Sequence, residues 1–327
     1  MKRKVLCAGL AVCDVPLRPI PKTILEEDIC FIENPAVSTG GDALNVAVTL
    51  TKLGVPAVLS GLVGRDANGD FIMKRLDELG VDTGGMVRHP SLGTVVSYIL
   101  IEPGGERHFA LSDELTSVFD YPDIPSRLID QADMVYFGSA MCMKAMDRGG
   151  AAALFRRARG LGKTTFADTS CGNSALGASY WRELLDPMLR ETDVFMPSYD
   201  EAVILTGQGE LSGIRDSLAP FRLKLLVVKL GAGGCYITDF RDEWTIPAFA
   251  EFRPVDTTGA GDSFVGGFIR GLLEGWPPRA AGIFANVVAG FNVTKLGATG
   301  GVPGFDAALR YAREHAGGGD FAQGSAE

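Results

Sequence analysis

The chain has 327 residues, 46% hydrophobic and 22% charged, with a formal net charge of −9. Size and apolar content suit a soluble globular protein with a large core. The acidic balance, without any Lys/Arg-rich block, excludes a polyanion-binding surface and with it a nucleic-acid partner. Cys7, Cys13, Cys30, Cys142, Cys171 and Cys235 form no C-x-x-C pair, and His89, His108 and His315 lie far apart. That pattern speaks against a zinc site or a disulfide framework and for reduced, mostly buried thiols.

The charged amino terminus passes directly into residues 4–12 (KVLCAGLAV), unlike the long apolar run of a signal peptide. No stretch approaches 18 apolar residues, so no membrane partner is expected and the cytoplasm is the default location. Residues 4–12 read as a buried parallel strand. Asp14 falls at or just past its carboxyl end, where open α/β sheets bind ligands; a solvated turn aspartate is the plainer reading. Residues 16–38 carry prolines and β-formers without a helical period, and 29–37 fit an exposed strand.

Gly40-Gly41 opens a helix that Gly54 closes, with an apolar face at 43, 46, 47, 50 and 53. The two glycines would let a ligand touch backbone, and Asn45, one turn on, can donate and accept toward a hydroxyl. Taken alone, Asn45 is also an ordinary surface helix residue. Residues 58–63 read as a strand and 71–79 as a helix. Residues 94–101 and 107–111, joined by the turn at 102–106, read as a β-hairpin. With 16–38 this hairpin could form a small sheet standing apart, a lid over a cleft. From 134 onward strand and helix alternate: strands at 134–138, 164–168, 193–196 and 225–230, and helices at 144–159, 181–189 and from 200. A hairpin-like stretch at 231–245 and helices at 279–294 and 305–314 follow. Such alternation predicts a mainly parallel sheet covered on both faces. The small, polar residues 317–327 are expected to be a disordered tail.

The chemistry concentrates in residues 256–264 (DTTGAGDSF), between an extended run and an apolar one. Gly259 and Gly261 permit a tight turn close to a ligand. The first turn of the next helix has amides without intrahelical partners, which favour an anion, and Asp262 sits in that turn. An anion cradle beside a carboxylate suits phosphoryl transfer to an alcohol, the amides holding developing charge and the carboxylate accepting the hydroxyl proton. The same stretch also reads as a glycine-rich turn with an ordinary acidic residue at a helix start. The chain contains neither a G-x-x-x-x-G-K-[S/T] loop nor a G-x-G-x-x-G after its first strand, against the commoner nucleotide folds.

Gly40-Gly41 with Asn45, Ala47 and Leu53-Gly54, followed much later by the D-T-T-G-A-G-D of Asp256 to Asp262, resembles the ribokinase-like (PfkB) carbohydrate kinase family over residues 3–316. The resemblance implies a three-layer α/β/α fold with a mainly parallel central sheet. One kinase domain would span residues 1–316, with lid segments at about 13–38 and 90–114 in which two chains often pair. It implies Asp262 as catalytic base, with Gly259, Ala260 and Gly261 as anion hole. Asp14, Gly40, Gly41 and Asn45 match positions that hold acceptor hydroxyls. Lys229, Gly231 and Gly234 match a turn along ATP, and Asn286 falls where the last helix lines the adenine pocket. Residues 293–303, including Lys295 and Gly297, match a loop that with Asp256 and Thr258 holds a monovalent cation, potassium, in many members. Glu201 matches a residue organising Mg²⁺ through water. Ser198 stands where the family usually has Asn, and Ser-x-x-Glu is also a plain capping box.

The expectation is an ATP- and Mg²⁺-dependent kinase for a hydroxymethyl group of a small sugar or sugar acid, working as a homodimer. A nucleoside kinase on the same fold is the alternative, and a non-catalytic sugar or nucleotide sensor a remoter one. Gly-Gly-Asp-Ala-Leu-Asn looks somewhat like ketodeoxygluconate kinases, and Lys229-Leu230-Gly231 occurs in fructokinase-like members. Arg107 could meet an acidic sugar, or be a solvated hairpin arginine.

Overall fold

The computed structural model describes residues 3–170, 173–316 and 321. The expected tail, Phe321 apart, and Cys171 lie outside the described residues. The chain begins with β1 (Val5–Ala8), β2 (Val12–Leu17), β3 (Ser38–Gly40) and helix α1 (Asp42–Lys52). β4 (Ala57–Gly64), α2 (Ala67–Glu78) and β5 (Asp82–His89) precede the hairpin β6 (Val96–Ile101) and β7 (Arg107–Leu111). Two short helices, α3 (Glu114–Val118) and α4 (Ser126–Gln131), lead into β8 (Met134–Ala140), α5 (Ala151–Gly160), β9 (Thr164–Thr169) and α6 (Gly177–Leu189). Then come β10 (Val194–Phe195), α7 (Tyr199–Thr206), α8 (Leu211–Leu218), β11 (Leu225–Lys229), β12 (Cys235–Thr238) and β13 (Glu243–Ile246). The last elements are α9 (Ala260–Leu273), α10 (Pro278–Asn292) and α11 (Phe305–Ala316).

The main sheet has nine strands in the order β13-β12-β11-β10-β9-β8-β1-β4-β5. It is parallel from β11 to β5, while β12 and β13 close one edge antiparallel. β1 lies between β4 and β8, with Val5 opposite Ala57 and Met134. Side chains alternate across a strand. Val5 and Cys7 therefore enter one core with α1, α9 and α10, and Leu6 and Ala8 enter another with α5, α6 and α7. Both faces are covered, which is why the strand sequences read as apolar runs. A separate four-stranded sheet has the order β3-β2-β6-β7.

Several elements depart from the sequence reading. Residues 4–12 are not one strand: the chain breaks at Gly9 (φ 145°), whose Cα packs so close to the Gly138 carbonyl that a Cβ would lie 2.8 Å from it. The chain then turns away into the small sheet. Asp14 consequently stands inside β2, paired with Ser38 of β3 and Ser97 of β6, rather than at the end of a main-sheet strand. Residues 29–37 are largely exposed and form no strand; only 38–40 pair with β2. The expected helix at 144–159 opens with a wide turn, Met146–Gly150, because Gly149 adopts φ 146°. β5 was not anticipated, since this edge strand is half exposed and carries two glycines beside a register shift.

Candidate active site

Parallel strands place their carboxyl ends along one edge of the sheet, and two helix amino termini meet there. α1 starts from Gly41 (φ 97°), whose Cα packs against the Leu10 carbonyl, where a Cβ would stand 2.4 Å away. α9 starts from Gly259 (φ 68°), where a Cβ would lie 2.1 Å from the Ala298 carbonyl oxygen. Both positions therefore need glycine for conformation and for space. Gly266 lets α9 press against Thr49 of α1. The contact between the helices ends at the site itself, where Asn45 Nδ2 donates to Asp262 Oδ2 at 2.8 Å.

Asp262 follows Ala260 and Gly261 in the first turn of α9. It belongs to a cluster with Asp42 at the start of α1, Asp168 near the end of β9 and Glu201 in the first turn of α7. Lys229, at the end of β11, is the basic group among them. Its Nζ reaches both oxygens of Asp168, at 2.7 and 2.5 Å. Ser139 Oγ donates to Asp42 at 2.8 Å from a backbone with φ 72°. Glu201 Oε2 accepts from Thr169 Oγ1 (2.7 Å), Ser198 Oγ (2.6 Å) and the Ser198 amide (3.0 Å). Ser198 thus forms the capping box that its spacing allowed.

Crowding carboxylates out of water raises their pKa values. Burial, and then repulsion from Asp42, hold Asp262 well above the usual carboxylate range against the opposing Asn45 hydrogen bond and Lys229. Burial likewise pushes Asp168 up to about 7 despite Lys229, and raises Asp42 despite Ser139. For Lys229, burial alone would lower the pKa, but attraction to Asp168 and Glu201 outweighs it and the ammonium is held charged. Four carboxylates around one ammonium are an environment short of positive charge, with the hard oxygen donors that suit a divalent cation.

On the small-sheet side, the Asp14 carboxylate lies directly over Gly40, where a Cβ would fall 2.0 Å from Oδ2. Burial pushes Asp14 up to about 7, against a Ser97 hydrogen bond. Asp14, Ser38, Arg107, Asp256, Thr258 and Gly297 are among the residues around a cavity of about 550 Å³ between the small sheet and the 254–258 turn. Arg107, on β7, is partly buried and held by partners. It donates to Asp256 (3.3 Å), Thr257 and Thr258, so the small sheet is tied to the turn that leads into α9.

On the β11 side, Leu230 N–H donates to the Gly234 carbonyl at 2.8 Å and closes a glycine turn. Gly231 (φ 56°) and Gly234 (φ 89°) supply its shape, and a Cβ on Gly234 would stand 2.0 Å from the Ile246 carbonyl. Asn286 is buried, its amide nitrogen donating to the Ile246 and Pro247 carbonyls at 3.2 Å each, so it pins the backbone behind that turn.

The loop expected to bind a monovalent cation is partnered from within. Asp256 Oδ1 accepts from the Thr258 amide and hydroxyl, and Oδ2 from the Gly297 amide. Burial works against the charge on Asp256, but these bonds and Arg107 hold it below the usual carboxylate range. Asn292, fully buried in α10, donates to the carbonyls of Thr258 (3.3 Å) and Ala298 (2.8 Å). Lys295 follows at the end of that helix, its amide donating to the Asn292 carbonyl at 3.3 Å. Among the described residues, Arg107, the Gly297 amide and Asn292 thus partner Asp256, Thr258 and the Ala298 carbonyl of this loop.

Sequence reasoning passed over Asp42, Asp168 and Ser139. Asp168 did carry a signal, an aspartate closing a buried strand (TTFAD). Ser139 carried none, since its role depends on a left-handed backbone.

A model of the pfkB family of carbohydrate kinases matches residues 2–304. The chain belongs to that family. It is therefore a phosphotransferase with an alcohol group as acceptor. A Pyrococcus horikoshii protein named as a sugar kinase is 28% identical over 283 residues, 83% of this chain and 86% of its own. An ATP-dependent ribose-1-phosphate kinase of Halopiger xanaduensis is 28% identical over 301 residues, covering 90% of this chain and 93% of the other. Among solved structures, a fructokinase from Xylella fastidiosa with bound ATP superposes with a TM-score of 0.83 at 23% identity, over 97% of this chain and all of the other. Among the described residues of this kinase, no helix is long and apolar enough to cross a membrane.

Proposed function

We propose that this kinase transfers the γ-phosphoryl group of ATP to a hydroxymethyl group of a small sugar or sugar acid, with Asp262 as general base. The observation that carries the reading is the Asn45–Asp262 hydrogen bond. It couples the helix that follows the acceptor-side glycines to the helix whose amino terminus forms the anion cradle. Asn45 therefore orients the base as well as facing the acceptor side. Asp14, held over Gly40, accepts from acceptor hydroxyls, and the backbone at Gly40 and Gly41 lets the sugar approach closely. Asp262 takes the hydroxyl proton as the oxygen bonds to phosphorus, and its raised pKa makes it a stronger base than an exposed aspartate. The amides of Gly259, Ala260 and Gly261 stabilise charge on the transferred group.

Asp168 and Glu201, Glu201 through water, are the residues that would hold Mg²⁺, which neutralises phosphate charge when bound. ATP lies along Lys229, Gly231 and Gly234. Asn286 acts behind that pocket by fixing the backbone. Ser198 serves by capping α7 and holding Glu201. The small sheet acts as a lid, and Arg107 ties it to the 256–258 turn. Tyr98 and Phe109, about half exposed on β6 and β7, lie on opposite faces of that sheet, and its edge strands β3 and β7 offer backbone groups for pairing with a second copy of the chain. Light scattering after size exclusion should give twice the 34.7 kDa chain mass, and the single-chain mass would refute the pairing.

A coupled ADP-release assay with Mg-ATP tests the reaction, using ribose, fructose, 2-keto-3-deoxygluconate, adenosine, inosine and cytidine as acceptors. One sugar or sugar acid should turn over strongly, and Asp262→Asn should abolish nearly all turnover while nucleotide still binds. Selective turnover of a nucleoside would overturn the substrate class, and an active Asp262→Asn would overturn the base.

A further inference from the structure

We propose that Lys229 is a catalytic residue: the cation that takes up charge on the transferred phosphoryl group, moving to it from its ion pair with Asp168. The inference rests on the kinase reading above and assigns Lys229 a step within it. Three observations carry it. The first is position. The ammonium abuts the anion cradle, because a Cβ built on Gly261 would stand 3.6 Å from Nζ with no side chain between them. The second is anchoring. The Lys229 backbone is fixed by its amide, which donates to the Pro197 carbonyl at 2.9 Å, and by a parallel bridge to Ser198. The stem is therefore held at one end, and only the long side chain needs to move. The third is donor count. An ammonium has three N–H groups. Among the described residues its only hydrogen-bond partner is Asp168, which takes two bonds. A donor is left beside the helix amino terminus, in a side chain only 13% exposed.

In the transfer, the acceptor oxygen–phosphorus bond forms as the bond between phosphorus and the departing ADP oxygen breaks. Asp262 receives the hydroxyl proton. Lys229 gives up no proton; it swings from Asp168 toward the equatorial oxygens and stays an ammonium. Phosphoryl transfer needs such placed positive charge more than covalent chemistry. A lysine that only neutralised Asp168 would need neither the neighbouring cradle nor an unspent donor.

The test uses full-length Lys229→Gln with Mg-ATP and the acceptor from the panel that supports turnover. We expect kcat to fall by about 10²–10³-fold, the usual loss for one placed donor, with KM for ATP within about threefold. The second readout is ADP binding with that acceptor, with and without fluoroaluminate, which mimics the moving phosphoryl group. In the wild-type protein fluoroaluminate should tighten ADP binding; in Lys229→Gln, ADP should bind normally and the tightening should vanish. Retained tightening, or kcat within about fivefold of wild type, would overturn the role. If Lys229→Gln does not fold, wild-type protein with ¹⁵N-labelled lysine decides. The buried Nζ resonance should move on adding ADP, acceptor and fluoroaluminate but not with ADP alone, and an identical shift in both would overturn the proposal. Asp262→Asn run alongside separates the failures. Loss there with a normal Lys229→Gln refutes only Lys229, whereas two unaffected variants refute the site.

Discussion

Replacing Gly40 by Ala tests whether Asp14 holds the acceptor, without touching either of its carboxylate oxygens chemically. The new Cβ would lie 2.0 Å from Asp14 Oδ2, 2.7 Å from Cγ and 2.9 Å from Oδ1. Carbon and oxygen atoms separate by well over 3 Å at ordinary contact, so the carboxylate must swing away by about 1 Å or more. Gly40 does not have a left-handed backbone, and the obstacle is the mobile end of a side chain rather than main chain. The fold should therefore absorb the change. One or two hydrogen bonds from sugar hydroxyls to a charged group are lost, at about 1.5–3 kcal/mol each, which corresponds to about 10- to 150-fold per bond. Steady-state kinetics should show kcat/KM for the acceptor down by at least about tenfold, ATP parameters within about twofold, and a melting temperature within a few degrees of wild type. Unchanged acceptor kinetics would refute the placing of Asp14 at the acceptor. Gly41→Ala is the contrasting control, because φ of 97° and the Leu10 carbonyl 2.4 Å from the new Cβ leave it no accommodation.

Asp147 is 3% exposed and accepts the Met141 amide at 3.2 Å, and burial pushes it up to about 7. Its folded pKa is above the unfolded one, so the native state binds the extra proton between about pH 4 and 7. The group's contribution to stability is then lost as pH rises through that window, by at most about 4 kcal/mol. Asp147→Asn should raise the urea midpoint at pH 8 and flatten its pH dependence, and an unchanged profile would contradict the assignment. Activity and melting temperature should agree within about twofold and a degree or so in potassium, sodium or tetramethylammonium chloride, since bound ligand raises stability only where a site exists. A potassium-specific stabilisation would establish the cation site. Arg107→Ala should raise KM for the acceptor by about tenfold, roughly the worth of one charge-assisted bond, and speed amide exchange in β6 and β7. Unaltered exchange would show that Arg107 does not tie the small sheet down.

The glycines and Asp262 were legible because their requirement is local. A left-handed glycine before a helix, followed by small residues and a carboxylate, sets the backbone at the start of α9 over a few residues. The alternating strands and helices were legible for the same reason, since apolar runs and caps act over short stretches. Arg107 was not. Nothing in Gly-Gly-Glu-Arg-His says that the guanidinium reaches across about 150 residues to Asp256. The path of Asp14 depended on a break at Gly9, which is forced by the neighbouring strand through the Gly138 carbonyl, a contact absent from the local sequence.

The acidic cluster shows most clearly what topology adds. Asp42, Asp168, Glu201 and Asp262 are scattered over more than 200 residues, and each alone reads as a helix-start or strand-end acid. Parallel strands β8 to β11 deliver their carboxyl ends to one edge, and α1 and α9 bring their amino termini to the same place. Four carboxylates then meet one buried ammonium. Such a cluster costs stability, because each buried carboxylate is disfavoured by desolvation and by its neighbours. A fold built for stability alone would have dispersed these groups to the surface. Their concentration at the amino termini of α1 and α9 is understandable if the missing positive charge arrives with the substrate, as Mg²⁺ on the nucleotide, with Lys229 released to the moving phosphoryl group as proposed above.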